Sequence, residues 1–238
     1  MQIIHFLSDY SLQFLLTMAV SYILGSLSFS IIFTRLFSHA DVRTMGSGNA
    51  GFTNVLRCVG VIPSILTFVF DFLKAVLSIF LATLIFNHLV FNGMKSFLIL
   101  EIMQYLAGIF CILGHMYPCF FNFKGGKGVI TVAGTMLFID YRIFIAAFIV
   151  FIAVFLISKI ISLSSISAAI SLPISTFLIT FFLDFLPNTN NPNSNYSVGY
   201  IIVACISFII ISLIVVAKHK SNIQRIIKGE EKKISVKK

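Results

Sequence analysis

The chain has 238 residues, of which 58% are hydrophobic and 11% are charged, and its formal net charge is +9. A soluble domain carries roughly 25% charged residues, so a chain with a mean hydropathy of +1.03 cannot enclose its apolar surface in one water-soluble core. The positive charge does not indicate a nucleic-acid-binding protein, because the basic residues lie at the ends of apolar stretches and form no soluble basic domain.

Seven apolar stretches follow one another along the chain, and each predicts a helix, because a membrane-spanning helix needs about 20 apolar residues. They cover residues 10–37, 61–86, 96–120, 129–139, 143–157, 165–186 and 197–217. The fourth and fifth are short and are separated only by residues 140–142, so two spans, a re-entrant pair and one interrupted helix all remain open. The predicted fold is all-α: a polytopic integral membrane protein, built as a seven-transmembrane-helix bundle.

The distribution of positive charge predicts the orientation of this bundle. If the first of seven spans enters from outside, 14 of the 17 Lys and Arg residues fall on one side. Lys95 and Arg142 then lie on the other side, and Lys74 lies within the second span. Because Lys and Arg are retained in the cytoplasm, we expect the amino terminus outside and the carboxyl terminus in the cytoplasm. Three cytoplasmic segments, 38–60, 114–131 and 218–233, then carry the motifs of one domain that covers residues 1–238.

The segment 38–60 contains GSGNAGFTN, in which the glycines have the spacing G-x-G-x-x-G. A dinucleotide site needs a preceding strand and an acidic residue about 20 positions later. Here a membrane helix precedes the glycines, and the only acidic candidate, Asp71, lies inside the next span. Glycines at this spacing still allow backbone amides to converge on an anion, so we predict an anion site, with a flexible turn as the alternative. Its candidate residues are Arg43, Gly46, Ser47, Gly48, Asn49, Gly51, Thr53, Asn54 and Arg57.

The segment 114–131 contains FKGGKG, which is similar to a Walker A loop without being one. Phe121 occupies the position of the first Walker glycine, and a glycine follows Lys127 where Ser or Thr is required. Ammonium groups, free amides and the start of the next helix can nevertheless face one phosphate here. A phosphate-binding loop is the favoured interpretation, and a glycine hinge with two basic anchors is the alternative. The candidate residues are Lys124, Gly125, Gly126, Lys127 and Gly128.

The third segment, KHKSNIQRIIKGEEKK, follows the last apolar stretch. If the helix continues, His219 and Asn222 share one face at positions i and i+3. A basic tail that binds anionic lipid headgroups is the competing interpretation. Ser165 lies at the cytoplasmic end of a neighbouring stretch and is a further candidate for the same site.

Three polar residues within the apolar stretches are predicted to be structural. Asp71 and Lys74 stand one helical turn apart inside the second span, where pairing lowers the cost of burying their charges, and we favour a structural pair over a proton relay. His115 is predicted to be a structural hydrogen-bonding group.

The predicted cytoplasmic phosphate sites on an apolar bundle indicate a phosphorylated small molecule that meets a lipid chain. No histidine is followed by aspartate at the spacing of the common acyltransferase motif, and no G-x-S-x-G nucleophile motif is present. The cysteines form no C-x-x-C pair and the acidic residues are scattered, so we expect neither a metal nor a cofactor. The chemistry therefore has to proceed without a dedicated protein nucleophile.

Several motifs in chain order carry a family resemblance: GS at Gly25 and Ser26, DVRTMGSGNAGFTNVLRCVG, DFLK, GHMYPCFFNFKGGKGV, SLSSI and KHKSNIQRIIKGEE. Together they resemble the bacterial PlsY family of acyl-phosphate:glycerol-3-phosphate acyltransferases over nearly the whole chain. The resemblance implies a seven-helix enzyme of the bacterial cytoplasmic (inner) membrane. It implies transfer of an acyl chain to the sn-1 hydroxyl of glycerol 3-phosphate, giving lysophosphatidate and inorganic phosphate in the first step of phospholipid synthesis.

The resemblance also implies roles for individual residues. Ser47 and Arg57 match catalytic positions, and the glycines and Lys127 match the loop that binds glycerol 3-phosphate. The remaining active-site positions correspond to Ser165, His219 and Asn222, and Glu231 to a structural acid. The chain departs from the family where Ser28 replaces a common proline and where lysine replaces arginine at positions 218 and 220, which removes bidentate geometry there.

An acyl phosphate is an activated mixed anhydride, so direct attack by the alcohol without a covalent acyl-enzyme is expected. His219 is expected to position the substrate, with a role as general base as the alternative. The expected partners are acyl phosphate, glycerol 3-phosphate, membrane lipids and a soluble acyl-phosphate-producing enzyme that hands over the donor. A membrane transporter of phosphate esters or other anions is the competing function.

Overall fold

A computed structural model describes residues 10–89, 97–192 and 194–233, and every regular element within them is helical. The helix Ile161–Leu178 continues into a π-helical turn, Ile179–Phe185. Short 3₁₀ turns lie at Val42–Thr44, Cys119–Phe121 and Leu186–Asn188. The α-helices are α1 (Ser11–Gly25), α2 (Phe29–Ser38), α3 (Phe52–Cys58), α4 (Val61–Leu89), α5 (Phe97–Met116), α6 (Val129–Ile139), α7 (Tyr141–Ser158), α8 (Ile161–Leu178), α9 (Val198–Lys218) and α10 (Lys220–Ile227).

The apolar helices confirm the prediction of an all-α, polytopic membrane protein. Within the described residues, six helical segments are long and apolar enough to cross a membrane. The remaining apolar helix, α6, has 11 residues and a length of about 16 Å. It is therefore shorter than the ~30 Å hydrocarbon core. The predicted helix start at residue 96 and the charge of Lys95 lie outside the described residues.

The first span is interrupted, although its sequence predicts one continuous helix. α1 ends at Gly25 and α2 begins at Phe29. The Lys74 ammonium of α4 donates hydrogen bonds to the carbonyls of Gly25, at 3.0 Å, and Leu27, at 2.8 Å. Irregular backbone at membrane depth is stable only where protein groups satisfy it, so a side chain 47 positions along the chain stabilises the break.

The described residues form two compact units, divided between Ile139 and Asp140. In the amino-terminal unit, α1 packs closely against α5. A Cβ atom on Gly25 would overlap the backbone carbonyl of Cys111, and one on Gly114 would overlap the carbonyl of Tyr22. These glycines therefore allow the two backbones to approach each other, as small residues do between membrane helices.

In the carboxyl-terminal unit, α8 packs against both α7 and α9. One charged cluster links all three stretches: Arg142 forms ion pairs of 2.7 Å with both Asp140 and Asp184. Tyr200 donates a hydrogen bond of 3.1 Å to Asp184. The charges of Asp140, Arg142 and Asp184 are therefore paired with one another.

Candidate active site

The loop of residues 46–51 owes its shape to glycine. Gly46 and Gly48 have φ angles of 56° and 69°, in the left-handed region that a residue with a Cβ atom occupies only with strain. Ser47 lies between them and is exposed, and Asn49 is half-buried. Gly51 immediately precedes α3. The loop thus exposes a hydroxyl between two tight backbone turns at the start of a helix.

The buried side chain of Asn54 stabilises this loop through hydrogen bonds to backbone groups. Its side-chain amide donates hydrogen bonds of 3.0 Å to the carbonyls of Val42 and Met45. Its Oδ1 accepts a 3.0 Å hydrogen bond from the amide of Ser47, and Asn54 is only 2% exposed. The sequence suggested Asn54 as a substrate ligand, but its hydrogen-bonding groups are used to shape the loop around Ser47.

Arg43 ties the two glycine-rich segments together. Its guanidinium donates to Asp41 through Nε at 2.9 Å and Nη2 at 2.7 Å. Nη1 donates to the carbonyls of Phe121, at 2.7 Å, and Lys124, at 3.1 Å. The side-chain hydrogen bond from Arg43 lowers the pKa of Asp41, and the same contact raises the pKa of Arg43. The guanidinium, predicted to bind substrate, is therefore occupied as a clamp between the loops.

In the second loop, the sequence predicts that the amides of Gly125 and Gly126 are free to bind a phosphate, and the structure shows otherwise. Gly125 donates to the carbonyl of Met116 and Gly126 donates to the carbonyl of His115, both at 3.2 Å. The amides of both glycines are therefore used inside the protein, not left free to bind a phosphate. Glycine is required because a Cβ atom on Gly126 would overlap His115 Nε2 and the carbonyl of Ala50.

Three basic residues of this unit lie in or close to the two loops along the chain and have side chains that are at least partly exposed. The side chain of Arg57, on α3, is exposed and makes no hydrogen bond or ion pair with any other described residue. Lys124 is exposed and Lys127 is half-buried. Gly128, with a φ of 78°, directly precedes α6. Cationic groups and a helix start thus accompany Ser47 in one unit, as an anion site requires.

In the carboxyl-terminal unit, Glu231 accepts three short hydrogen bonds. Ser162 Oγ and Asn222 Nδ2 donate to Oε1, and Arg225 Nε donates to Oε2, each at 2.6 Å. Burial alone would raise the pKa of Glu231, but these three donors outweigh it, and the pKa lies below its ordinary value. The carboxylate thereby fastens the tail beyond α10 to α8.

The contacts of His219 and Asn222 show which of their side-chain atoms can accept a hydrogen bond from a ligand. His219 Nδ1 lies 2.8 Å from the carbonyl oxygen of Val215, which can only accept, so in the neutral ring Nδ1 carries the hydrogen and Nε2 the lone pair. Asn222 is 4% exposed, and its Oδ1 has no hydrogen-bond partner among the described residues. A buried acceptor without a donor is costly, so this oxygen is suited to a hydroxyl supplied by a ligand.

Ser165 is also buried, and its hydroxyl donates a 2.9 Å hydrogen bond to the carbonyl of Ile161. Its hydrogen is therefore used within α8, and its oxygen can only accept from a ligand. Ser165 and Asn222 thus both offer acceptors.

We expect Glu231→Gln to destabilise the tail by about 1–3 kcal/mol, because the hydrogen bonds to a charged acceptor are lost. Hydrogen exchange of the α10 amides and thermal unfolding would measure the change. Glu230→Gln is the matched control, since Glu230 is exposed. Equal effects of the two substitutions would contradict the assignment.

The same substitution has a defined pH dependence. Because the folded-state pKa of Glu231 is lowered, its stabilising contribution is fully present above the ordinary value of 4.5 and is lost as pH falls through the folded-state pKa. The stability difference between wild type and Glu231→Gln should therefore be constant at neutral pH and shrink at acid pH.

Two residues of these clusters were not among the site residues predicted from the sequence. Asp41 is the partner of Arg43, and the D-x-R spacing is the local signal that indicates such a pair. Ser162 is a donor to Glu231, 69 positions away, and nothing in the sequence near either residue indicates that contact.

Comparison with known proteins provides a family context for this geometry. A family model described as glycerol-3-phosphate acyltransferase matches residues 15–229. A glycerol-3-phosphate acyltransferase of Prochlorococcus marinus subsp. pastoris is 37% identical over 221 residues, which cover 93% of this chain and 97% of that protein.

Two solved structures have a similar fold. One is PlsY, an integral membrane glycerol 3-phosphate acyltransferase, in its glycerol 3-phosphate form, with a TM-score of 0.72 and 32% identity over 93% of this chain and 96% of the other. The other is the lysophosphatidic acid form of PlsY, with a TM-score of 0.71 and 31% identity over 93% and 95% of the two chains.

Proposed function

The chain belongs to the glycerol-3-phosphate acyltransferase family, and from this premise we propose that it transfers an acyl chain from an acyl phosphate to the sn-1 hydroxyl of glycerol 3-phosphate. The products are lysophosphatidate and inorganic phosphate, and the reaction begins phospholipid synthesis. The related structures in glycerol 3-phosphate and lysophosphatidic acid forms support the acceptor and the product.

One observation carries the proposal: the Arg43 clamp joins two glycine-rich loops and leaves Arg57 without a partner among the described residues. An exposed guanidinium beside a shaped loop is suited to the planar oxygens of a phosphate group. Ser47, Arg57 and Lys127 are the proposed catalytic groups of this unit. Around them, Gly46, Gly48, Asn49, Gly51, Lys124 and Gly128 are proposed to form the substrate-binding surface.

We assign supporting roles to four further residues that the sequence suggested as ligands. Arg43 and Asn54 hold the first loop in place, and Gly125 and Gly126 provide the close backbone approach at His115. Their hydrogen-bonding groups are used within the protein. We therefore propose that they act on the substrate only by positioning the loops.

The proposed reaction is a direct displacement. The hydroxyl oxygen of glycerol 3-phosphate forms a bond to the acyl carbonyl carbon, and the bond from that carbon to the phosphate oxygen breaks with its electron pair. Cationic Arg57 and Lys127, with the Ser47 hydroxyl, stabilise the developing negative charge. The hydroxyl proton passes to a phosphate oxygen, so inorganic phosphate leaves without a cofactor or a covalent acyl-enzyme.

In the carboxyl-terminal unit, the acceptors of Ser165, His219 and Asn222 are proposed to orient substrate hydroxyl groups. His219 Nδ1 donates to the backbone carbonyl of Val215, whereas a histidine that acts as general base in a catalytic triad donates from Nδ1 to a carboxylate. Orientation of substrate is therefore the favoured role for His219, and Glu231 is the structural acid that fixes the Asn222 amide.

His219→Gln separates orientation from general-base catalysis. If His219 orients substrate, glutamine should retain activity within about tenfold and leave the acidic limb of the pH–rate profile unchanged, because general-base catalysis typically contributes about 100-fold or more. Loss of that limb together with a 100-fold fall in rate would assign the base role to His219 instead.

Transport of phosphate esters or other anions is the alternative function, and it requires ionisable groups along a path through the membrane. Lys74 pairs with Asp71 at 2.7 Å, and Arg142 pairs with Asp184 at 2.7 Å. These described residues of the spans are therefore engaged with one another, which favours an enzyme over a transporter.

The test is phosphate release from palmitoyl phosphate by the purified protein in lipid, with and without glycerol 3-phosphate. We expect release that depends on the acceptor, accompanied by lysophosphatidate and without an acylated protein in the mass spectrum. Release without acceptor dependence, or uptake of glycerol 3-phosphate into sealed vesicles without acylation, would refute the proposal.

The proposed location is the bacterial cytoplasmic membrane, with the amino terminus outside and the carboxyl terminus in the cytoplasm. The concentration of Lys and Arg in segments 38–60, 114–131 and 218–233 supports this orientation. We propose that the whole chain acts as one acyltransferase domain and that a soluble enzyme producing acyl phosphate supplies the donor on that side.

A further inference from the structure

A buried cluster in the amino-terminal unit has no role in the proposed chemistry. Lys74 Nζ lies 2.7 Å from Asp71 Oδ1 and 3.0 Å from His115 Nδ1. The three side chains are at most 5% exposed. Buried charges are costly even when paired, and this cluster lies where α4 and α5 meet the break in the first span.

Lys74 uses its three ammonium hydrogens in hydrogen bonds to His115 Nδ1, at 3.0 Å, and to the carbonyls of Gly25, at 3.0 Å, and Leu27, at 2.8 Å. Its contact with Asp71 is an ion pair, and neither carboxylate oxygen of Asp71 has a hydrogen-bond partner among the described residues. An ammonium group can only donate, so His115 Nδ1 accepts and the neutral ring carries its hydrogen on Nε2. The same side chain therefore stabilises the break and fixes the orientation of His115.

His115 in turn contacts the phosphate loop. Its carbonyl accepts the 3.2 Å hydrogen bond from the Gly126 amide. Gly126 also lies so close to the His115 ring and the Ala50 carbonyl that no Cβ atom fits. The two glycine-rich loops thus meet at Gly126, which lies beside the His115 ring and directly precedes Lys127.

We propose that Asp71, Lys74 and His115 are positioning residues that set the location of the loop carrying Lys127. Asp71 pairs with the Lys74 ammonium in the span, Lys74 fixes the His115 ring, and His115 supports Gly126. The inference rests on the proposed function for its kinetic consequence, because an anchored Lys127 is what the phosphate of glycerol 3-phosphate would meet.

The decisive variant is the double substitution Asp71→Asn/Lys74→Met, which removes both charges and leaves neither one buried alone. We expect KM for glycerol 3-phosphate to rise about tenfold, equivalent to about 1.4 kcal/mol, with a smaller change in kcat. Thermal unfolding should occur at a lower temperature than in wild type, because the carbonyls of Gly25 and Leu27 lose their donor. A double variant with wild-type KM would overturn the proposal.

His115 provides an independent pair of variants. In His115→Asn, the amide oxygen can take the place of Nδ1 as the acceptor for Lys74, whereas His115→Leu has no acceptor. We expect asparagine to restore most of the KM that leucine loses. Equal KM values in the two variants would also overturn the proposal, even if the double variant failed to fold.

Tryptic cleavage supplies a readout that does not depend on activity. Cleavage after Lys124 and Lys127, relative to cleavage after Lys159 in the other unit, should be faster in His115→Leu than in wild type. Gln104→Leu is the matched control, because it removes the 3.0 Å hydrogen bond to Thr83 in the same unit without touching His115. If wild type lacks acyltransferase activity, the proposed function fails, whereas unchanged cleavage in His115→Leu refutes the loop coupling itself.

Discussion

Arg57→Ala should lower kcat/KM for acyl transfer about 100- to 1000-fold, the loss typical of removing one donor that stabilises a developing negative charge. The free energy of unfolding should change by less than about 0.5 kcal/mol, because Arg57 is exposed and has no partner among the described residues. Steady-state kinetics with palmitoyl phosphate and glycerol 3-phosphate, together with thermal unfolding, would measure both quantities.

Lys228→Ala is the matched control for this loss of charge. The Lys228 side chain is also exposed and has no hydrogen-bond or ion-pair partner in the described chain, and it is not part of the proposed site. Arg57→Lys adds a test of geometry, because lysine keeps the charge and loses the bidentate fork. If Lys228→Ala reduces activity as strongly as Arg57→Ala, the effect is one of general surface charge and not of the proposed phosphate contact.

Gly126→Ala should reduce kcat/KM by at least about 100-fold, because displacement of a catalytic group by about 1 Å is sufficient for a loss of this size. The new methyl group would overlap the His115 ring and the carbonyl of Ala50, and one of the two loops would have to move. Kinetics and thermal unfolding are the measurements, and overpacking of this kind is expected to cost about 1–3 kcal/mol of stability.

Gly229→Ala is the control for Gly126→Ala. Gly229 has a φ of 72°, but no atom lies within 4 Å of a Cβ atom built there. It reports the backbone cost of replacing a tail glycine, about 1 kcal/mol, without a steric clash at the loops. Full activity in Gly126→Ala would show that the close approach at His115 is not needed for catalysis.

The helices could be predicted from the sequence, because a membrane-spanning helix satisfies its own backbone and needs only a long apolar stretch. The break after Gly25 could not. No proline marks it, and the group that makes it tolerable is Lys74, which reaches the broken backbone only after α4 has packed.

The sequence predicts which residues form the candidate site, but it does not predict which of them bind substrate and which only support the loops. Arg43 and Arg57 are both arginines that flank one glycine-rich loop, and the sequence treats them alike. The difference arises from a contact across 78 positions, where Arg43 meets the carbonyl of Phe121 while Arg57 stays exposed. An arginine is available to a ligand only if its guanidinium is not already hydrogen-bonded within the protein. That depends on backbone carbonyls far along the chain, and the spacing of residues around the arginine does not reveal them.

The Arg43 clamp has an evolutionary consequence. Arg43 reaches residues 121 and 124 through their main-chain oxygens alone, and every amino acid supplies such an oxygen. Mutational drift at these two positions would leave the clamp intact. Position 41 is different, because both carboxylate oxygens of Asp41 accept hydrogen bonds from the Arg43 guanidinium. Homologous sequences that retain this clamp should therefore keep both residues or change positions 41 and 43 together.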